Sequence, residues 1–152
     1  MRVLHTADWH VGKTINRQYR YDEMRDVLGE IVGIAEDREV DVAVIAGDVY
    51  ETKAPSGEAE DVVYGTLLQL SRLGIPVVIV RGNHDHEKRW RAIEPLLDRF
   101  DVRVVPQVRR PDQGGVLEVE GRNGESLQIA ALPWVGKRRY ATAARMMNPD
   151  RE

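Results

Sequence analysis

The 152-residue sequence contains no cysteine, which excludes disulfides and thiolate metal sites alike. It has no apolar run near the ~20 residues that a membrane-spanning helix requires. Met1–Thr6 shows no apolar leader and passes directly into a strand pattern. No segment is repeated or of low complexity. These absences make a cytoplasmic protein without membrane attachment the expectation. Histidine is scarce as well: there are four, and none follows His86. The net charge of −3 selects no class of partner. Arg17/Arg20, Lys88/Arg89/Arg91, Arg109/Arg110 and Lys137/Arg138/Arg139 form local basic clusters, and most such clusters are solvated surface.

What is present is a globular composition, 42% hydrophobic and 31% charged, in a chain long enough for one core. Val42–Ala46 and Pro76–Val80 are short, β-branched and without polar alternation, as strands buried on both faces read. Arg2–Thr6 and Val102–Val105 are expected to be two more. Between them, Met24, Val27, Leu28, Ile31, Val32 and Ala35 recur at helical spacing, as do Val63, Leu67 and Leu70. The second of these helices opens with Glu58, Glu60 and Asp61 near its positive end and stops at Gly74-Ile75-Pro76. Ile93, Leu96, Leu97 and Phe100 predict a shorter third. Strand and helix in alternation imply an α/β fold with a parallel sheet. After about residue 110 the pattern turns antiparallel, with Val116–Glu120 and Leu127–Leu132 flanking an Asn123-Gly124 hairpin signal, so a mixed sheet is expected. Tyr140–Met147 reads as a short helix and Asn148-Pro149-Asp150 as a turn.

In open α/β sheets, ligands bind beyond the carboxyl ends of the strands. Here those ends carry Asp8-Trp9-His10, Gly47-Asp48 and Gly82-Asn83-His84-Asp85-His86. Parallel strands place the three loops on one edge, so Asp8, His10, Asp48, Asn83 and His84 converge. Carboxylate, amide and imidazole without sulfur suit Mn²⁺, Fe²⁺ or Zn²⁺. Two ions ~3.5–4 Å apart form a clamp for in-line phosphoryl displacement, and a carboxylate beside a glycine has room to bridge them. Each motif alone is weak. Together and in order, they are specific.

Asp8-x-His10, Gly47-Asp48 and Gly82-Asn83-His84-Asp85 resemble the first three signatures of the calcineurin-like metallophosphoesterases. Within that superfamily, LHTADWHVGK and AGDVYETKAPS resemble bacterial DNA double-strand-break-repair nucleases, and the likeness covers about residues 2–135. The resemblance implies a layered metallophosphoesterase fold and two divalent ions, Mn²⁺ foremost. Asp8 and His10 would bind one ion, Asp48 would bridge, and Asn83 would bind the second. His84 would protonate or stabilise the leaving 3′ oxygen. Asp85 would orient His84 or, as an alternative, cap the helix that follows. DNA, an SbcC-type ATPase subunit and a second copy of the full-length protein are the implied partners. Lys13, Arg17 and Arg20, just after the first motif, are expected to meet DNA, with Lys88–Arg91 as second choice. His5 is expected to pack in the core, His86 to lie on the surface or face DNA, Trp9 to pack the first loop, and Trp90 and Trp134 to be core.

Two other readings stand beside the nuclease: a phosphomonoesterase of the same superfamily, and a module that keeps the fold without catalysis. Phosphoprotein phosphatases continue Gly-Asp into a stretch holding a phosphate-binding arginine, whereas this chain continues Val49-Tyr50-Glu51-Thr52-Lys53-Ala54-Pro55. The family normally supplies later histidines, including Gly-His-x-His, which this sequence lacks. It is therefore expected to be the N-terminal part of a longer nuclease domain, inactive alone.

Overall fold

The computed structural model describes residues 1–121 and 123–136. Its centre is a four-stranded parallel sheet of β1 (Val3–Thr6), β4 (Val42–Ile45), β5 (Val77–Val80) and β6 (Val102–Val105), in the order β1-β4-β5-β6. Each strand has only four residues, so the carboxyl ends lie nearly level and their loops share one edge. A small hairpin of β2 (Thr14–Ile15) and β3 (Gln18–Tyr19) follows the first loop. Three helices, α1 (Tyr21–Asp37), α2 (Gly57–Arg72) and α3 (Glu87–Leu97), connect the parallel strands.

Strand alternation divides the sheet into two faces. Ala43, Ile45, Val77, Ile79, Val102 and Val104 point toward the helices, where Leu28, Val32, Val63, Leu67, Leu70 and Trp90 meet them in the main core. Full burial of a side chain such as Leu28 contributes ~1.5–3 kcal/mol. Val42 and Val78 point the other way, toward Val119, Leu117, Leu127 and Ile129 of the hairpin β7 (Val116–Glu120) and β8 (Ser126–Ala130). The antiparallel half expected after residue 110 is therefore present as its own two-stranded sheet. It lies across a face of the parallel sheet instead of extending its edge.

Several local expectations are corrected. β1 is an edge strand, and its Val3 and His5 are exposed; His5 is not a core residue. Val27 is likewise exposed, because α1 buries the stripe Leu28, Val32 and Ala35. In α3 the buried side is Trp90 and Leu97, with Leu96 and Phe100 exposed and Phe100 already in a 3-10 turn. The β2–β3 hairpin was not expected from sequence. Its turn residues Asn16 and Arg17 both have positive φ, +51° and +64°, the primed geometry that suits a two-residue hairpin. Ser56 caps α2 through a bond from the Ala59 N–H. The helix expected at Tyr140–Met147, the turn at Asn148–Asp150 and the basic cluster from Lys137 lie outside the described residues.

Candidate metal centre

The loops after β1 and β4 are stitched to each other by backbone bonds. The N–H groups of Asp8, His10 and Val11 donate to the carbonyls of Gly47, Asp48 and Val49 at 3.1, 2.9 and 3.0 Å, and the Glu51 N–H returns to Val11 at 3.0 Å. Within this ladder Asp8, His10 and Asp48 take left-handed φ values of +56°, +46° and +49°. Such backbone is uncommon outside glycine and costs on the order of 1–3 kcal/mol per residue, a strain that clusters at functional sites. Gly47 (φ +93°) permits the close crossing, since a Cβ there would lie 2.9 Å from the Gly82 Cα. Gly82 is still more constrained. A Cβ on it would fall 2.1 Å from Asp48 Oδ1 and 2.3 Å from its N.

This framework brings Asp8, His10 and Asp48 together, one donor atom from each within 4.8 Å of the others. His10 Nε2 lies 3.7 Å from Asp8 Oδ1 and 4.0 Å from Asp48 Oδ2, too far for hydrogen bonds and suited to a cation held between them. Asp8 is exposed while Asp48 is mostly buried, so the site is open on the Asp8 side. Asn83 is exposed and shares with Asp48 and Gly82 a cleft of about 490 Å³. Two carboxylates and an imidazole form a donor set that fits a divalent ion, and the Asn83 amide opens onto the same cleft as Asp48.

His84 is beside them. Its backbone N–H donates to Asp48 Oδ1 at 2.9 Å, and its ring stands edge-on to His10 with centroids 4.8 Å apart. Its Nδ1 lies 2.7 Å from the Glu51 carbonyl oxygen, which raises the His84 pKa above the ordinary imidazole value. The charges of Asp48 and Glu51 act in the same direction.

Residues 1–142 match the family model of the calcineurin-like phosphoesterases. The chain belongs to that family. Among curated relatives, it is similar to the SbcD subunit of the SbcCD nuclease of Bacillus subtilis, with 42% identity over 106 residues, 69% of this chain and 27% of that protein. It is 36% identical over 143 residues to the SbcD subunit of Rhodobacter capsulatus, covering 89% of this chain and 35% of that one. To the DNA double-strand break repair protein Mre11 of Sulfurisphaera tokodaii it is 28% identical over 153 residues, 98% of this chain and 38% of that protein. The calcineurin-like phosphoesterase chain thus spans about a third of the length of these relatives.

Asp85, expected to orient His84 or to cap a helix, hydrogen-bonds neither the His84 ring nor the backbone at the start of α3. It is buried, and its carboxylate accepts from the N–H groups of Val49 (3.1 Å), Tyr50 (3.3 Å) and Gly82 (2.9 Å). Burial pushes its carboxyl up from the usual range, while the Gly82 and Tyr50 N–H groups and Trp90 pull it back. The helix cap is His86, whose Nδ1 accepts from the Arg89 N–H at 3.2 Å. The group facing His84 is Glu51, which no motif singled out.

Arg81 was also missed. It is buried and donates to the carbonyls of Pro106 (2.6 Å), Gly82 (3.0 Å) and Trp134, tying the third loop to the chain after β8. Trp9 packs the first loop as expected, its indole N–H on Thr6 Oγ1 at 3.0 Å. Trp90 is core, but Trp134 is half exposed, because it lies beyond the β7–β8 sheet at the cleft. Lys13, Arg17 and Arg20 are exposed on the β2–β3 hairpin, Arg17 at its tip and Arg20 paired with Glu23. No helix among the described residues is long and apolar enough to cross a membrane.

Proposed function

We propose that this chain supplies the first part of the catalytic centre of a metal-dependent DNA phosphodiesterase, as the N-terminal part of a longer nuclease. The observation that carries the reading is the convergence of Asp8, His10, Asp48 and Asn83 at one sheet edge, with His84 against Asp48. DNA as substrate draws support from the named relatives, which are nuclease subunits and a DNA break repair protein. The same names support an SbcC-type ATPase subunit as partner. A homodimer and a cytoplasmic location complete the proposal.

Asp8 and His10 would hold one ion, Asp48 would serve both, and Asn83 would hold the second as a neutral ligand that adds no negative charge near a phosphate. Two bound divalent ions, Mn²⁺ by preference, would activate water and neutralise the phosphate. His84 keeps a proton on Nδ1 toward the Glu51 carbonyl, which leaves Nε2 to give a proton to the departing 3′ oxygen. In this reading the exposed Lys13, Arg17 and Arg20 contact phosphates, which positions a duplex without reading its sequence.

The test compares Mn²⁺-dependent cleavage of a DNA duplex and of p-nitrophenyl phosphate by the full-length protein, with Asp48→Asn as control. Cleavage of DNA, abolished in the variant, is expected. Turnover of the monoester alone would favour the phosphomonoesterase reading.

A further inference from the structure

We propose that Glu51 is a positioning residue of the metal centre, its carboxylate holding His10 in the tautomer that offers Nε2 to an ion. The proposal rests on His10 being a ligand. The two ring nitrogens of His10 have different surroundings. Nε2 faces the Asp8 and Asp48 carboxylates at 3.7 and 4.0 Å, whereas Nδ1 lies 2.8 Å from Glu51 Oε2. Both Nδ1 and Oε2 are closed off from water, and neither has a hydrogen-bond partner elsewhere among the described residues. Their approach is off the ring N–H axis, so the two atoms lie within hydrogen-bond distance without the bond being made in this conformation.

Buried polar atoms need a partner. A carboxylate oxygen accepts only, so the pair is satisfied when Nδ1 carries the hydrogen. The lone pair of a neutral imidazole then resides on Nε2, on the side of Asp8 and Asp48. Carboxylate–imidazole–metal triads use this arrangement to fix ring orientation and raise ligand basicity.

His10, Glu51 and His84 also bring three donor atoms within 4.8 Å of one another, which raises Glu51 as a direct ligand. The distances favour positioning. His84 Nδ1 is engaged by the Glu51 carbonyl at 2.7 Å, and the 2.8 Å between Glu51 Oε2 and His10 Nδ1 is within hydrogen-bond distance. One residue thereby addresses both imidazoles, His10 through its side chain and His84 through its backbone.

The test uses the full-length protein, labelled with ¹⁵N-histidine, as wild type, Glu51→Gln and Glu51→Ala, with His10→Ala to assign the His10 signals. Long-range ¹H–¹⁵N spectra at mildly alkaline pH without metal report the His10 tautomer, and electron paramagnetic resonance follows added Mn²⁺. Wild type is expected to hold the proton on Nδ1. Glu51→Gln keeps an acceptor oxygen and should retain that tautomer. Glu51→Ala should release it to a mixture and weaken Mn²⁺ binding by about 10–100-fold. An unchanged tautomer in Glu51→Ala overturns the proposal. So does a Glu51→Gln chain that loses Mn²⁺ as completely as His10→Ala. Failure of the metal reading looks different: wild type binds no Mn²⁺, while the tautomer still follows Glu51.

Discussion

Removal of the Asp85 carboxylate should damage the fold more than any other single truncation in the third loop. The side chain is 2% exposed and accepts three backbone N–H bonds from two loops. Leaving one buried N–H without an acceptor costs about 1–3 kcal/mol. Three of them sum to several kcal/mol, and water entering the vacated space returns part. The expected loss for Asp85→Ala is therefore about 3–5 kcal/mol, a large share of the ~5–15 kcal/mol that holds a domain together. Asp85→Asn keeps one oxygen for Val49 and Tyr50 but turns an N–H₂ toward the Gly82 N–H, so it should cost about 1–3 kcal/mol. Urea unfolding followed by tryptophan fluorescence reads both, since Trp90 is buried with its ring 5.7 Å from that of Tyr50. A loss below about 1 kcal/mol in Asp85→Ala would mean that those N–H groups find other partners, and the reasoning fails.

In the full-length protein, His84→Ala should lower turnover by ~10²–10⁴-fold with Mn²⁺ binding nearly intact; equal loss of binding in a titration would make His84 a ligand. Its pKa is raised, so the protonated form persists above the ordinary histidine range and wild-type turnover should fall as pH rises through that raised value. A pH–rate profile with no such alkaline limb removes the acid role. Asp48→Asn should lose more metal than Asp8→Asn in parallel Mn²⁺ titrations, because Asp48 faces the His10 ring from the buried side and also holds the His84 N–H. Gly82→Ala should mimic Asp48→Asn in that titration and lose about 1–3 kcal/mol of stability, since its methyl needs the space of the Asp48 carboxylate. Charge reversal at Arg17 should flatten the salt dependence of DNA binding more than reversal at Arg20, whose guanidinium is already paired with Glu23.

The parallel sheet and its three loops were legible because each short β-branched run leads straight into its acidic or histidine-bearing turn, and strand direction alone determines where those turns meet. Contacts that depend on side-chain direction were not. Asp85 and His86 are adjacent, both can cap a helix, and only the fold decides that Asp85 turns inward while His86 takes the cap. Glu51 lies within the stretch AGDVYETKAPS but was given no role there, and its place beneath two imidazoles depends on how the second loop bends after Tyr50. The β2–β3 hairpin has no glycine to announce it; Asn16 and Arg17 adopt the left-handed turn themselves. His5 was misplaced because a position inside a strand suggests burial, whereas β1 is an edge strand with one face open.

The backbone ladder between the first two loops has a consequence for how this centre can vary. Asp8, His10, Asp48 and Glu51 belong to one continuous strip of hydrogen-bonded chain, not to two independent excursions. Changing the length of either loop inside that strip shifts the register of four backbone bonds at once and moves donors on both strands of it. Length can change freely only outside it, at the hairpin tip around Asn16-Arg17 or in the exposed run Thr52–Ala54. Diversification by insertion is thereby directed to the periphery, where a substrate would be gripped, while the reacting centre is inherited as a block. A designer who transplants the first loop without the second would carry the residues across and leave their geometry behind.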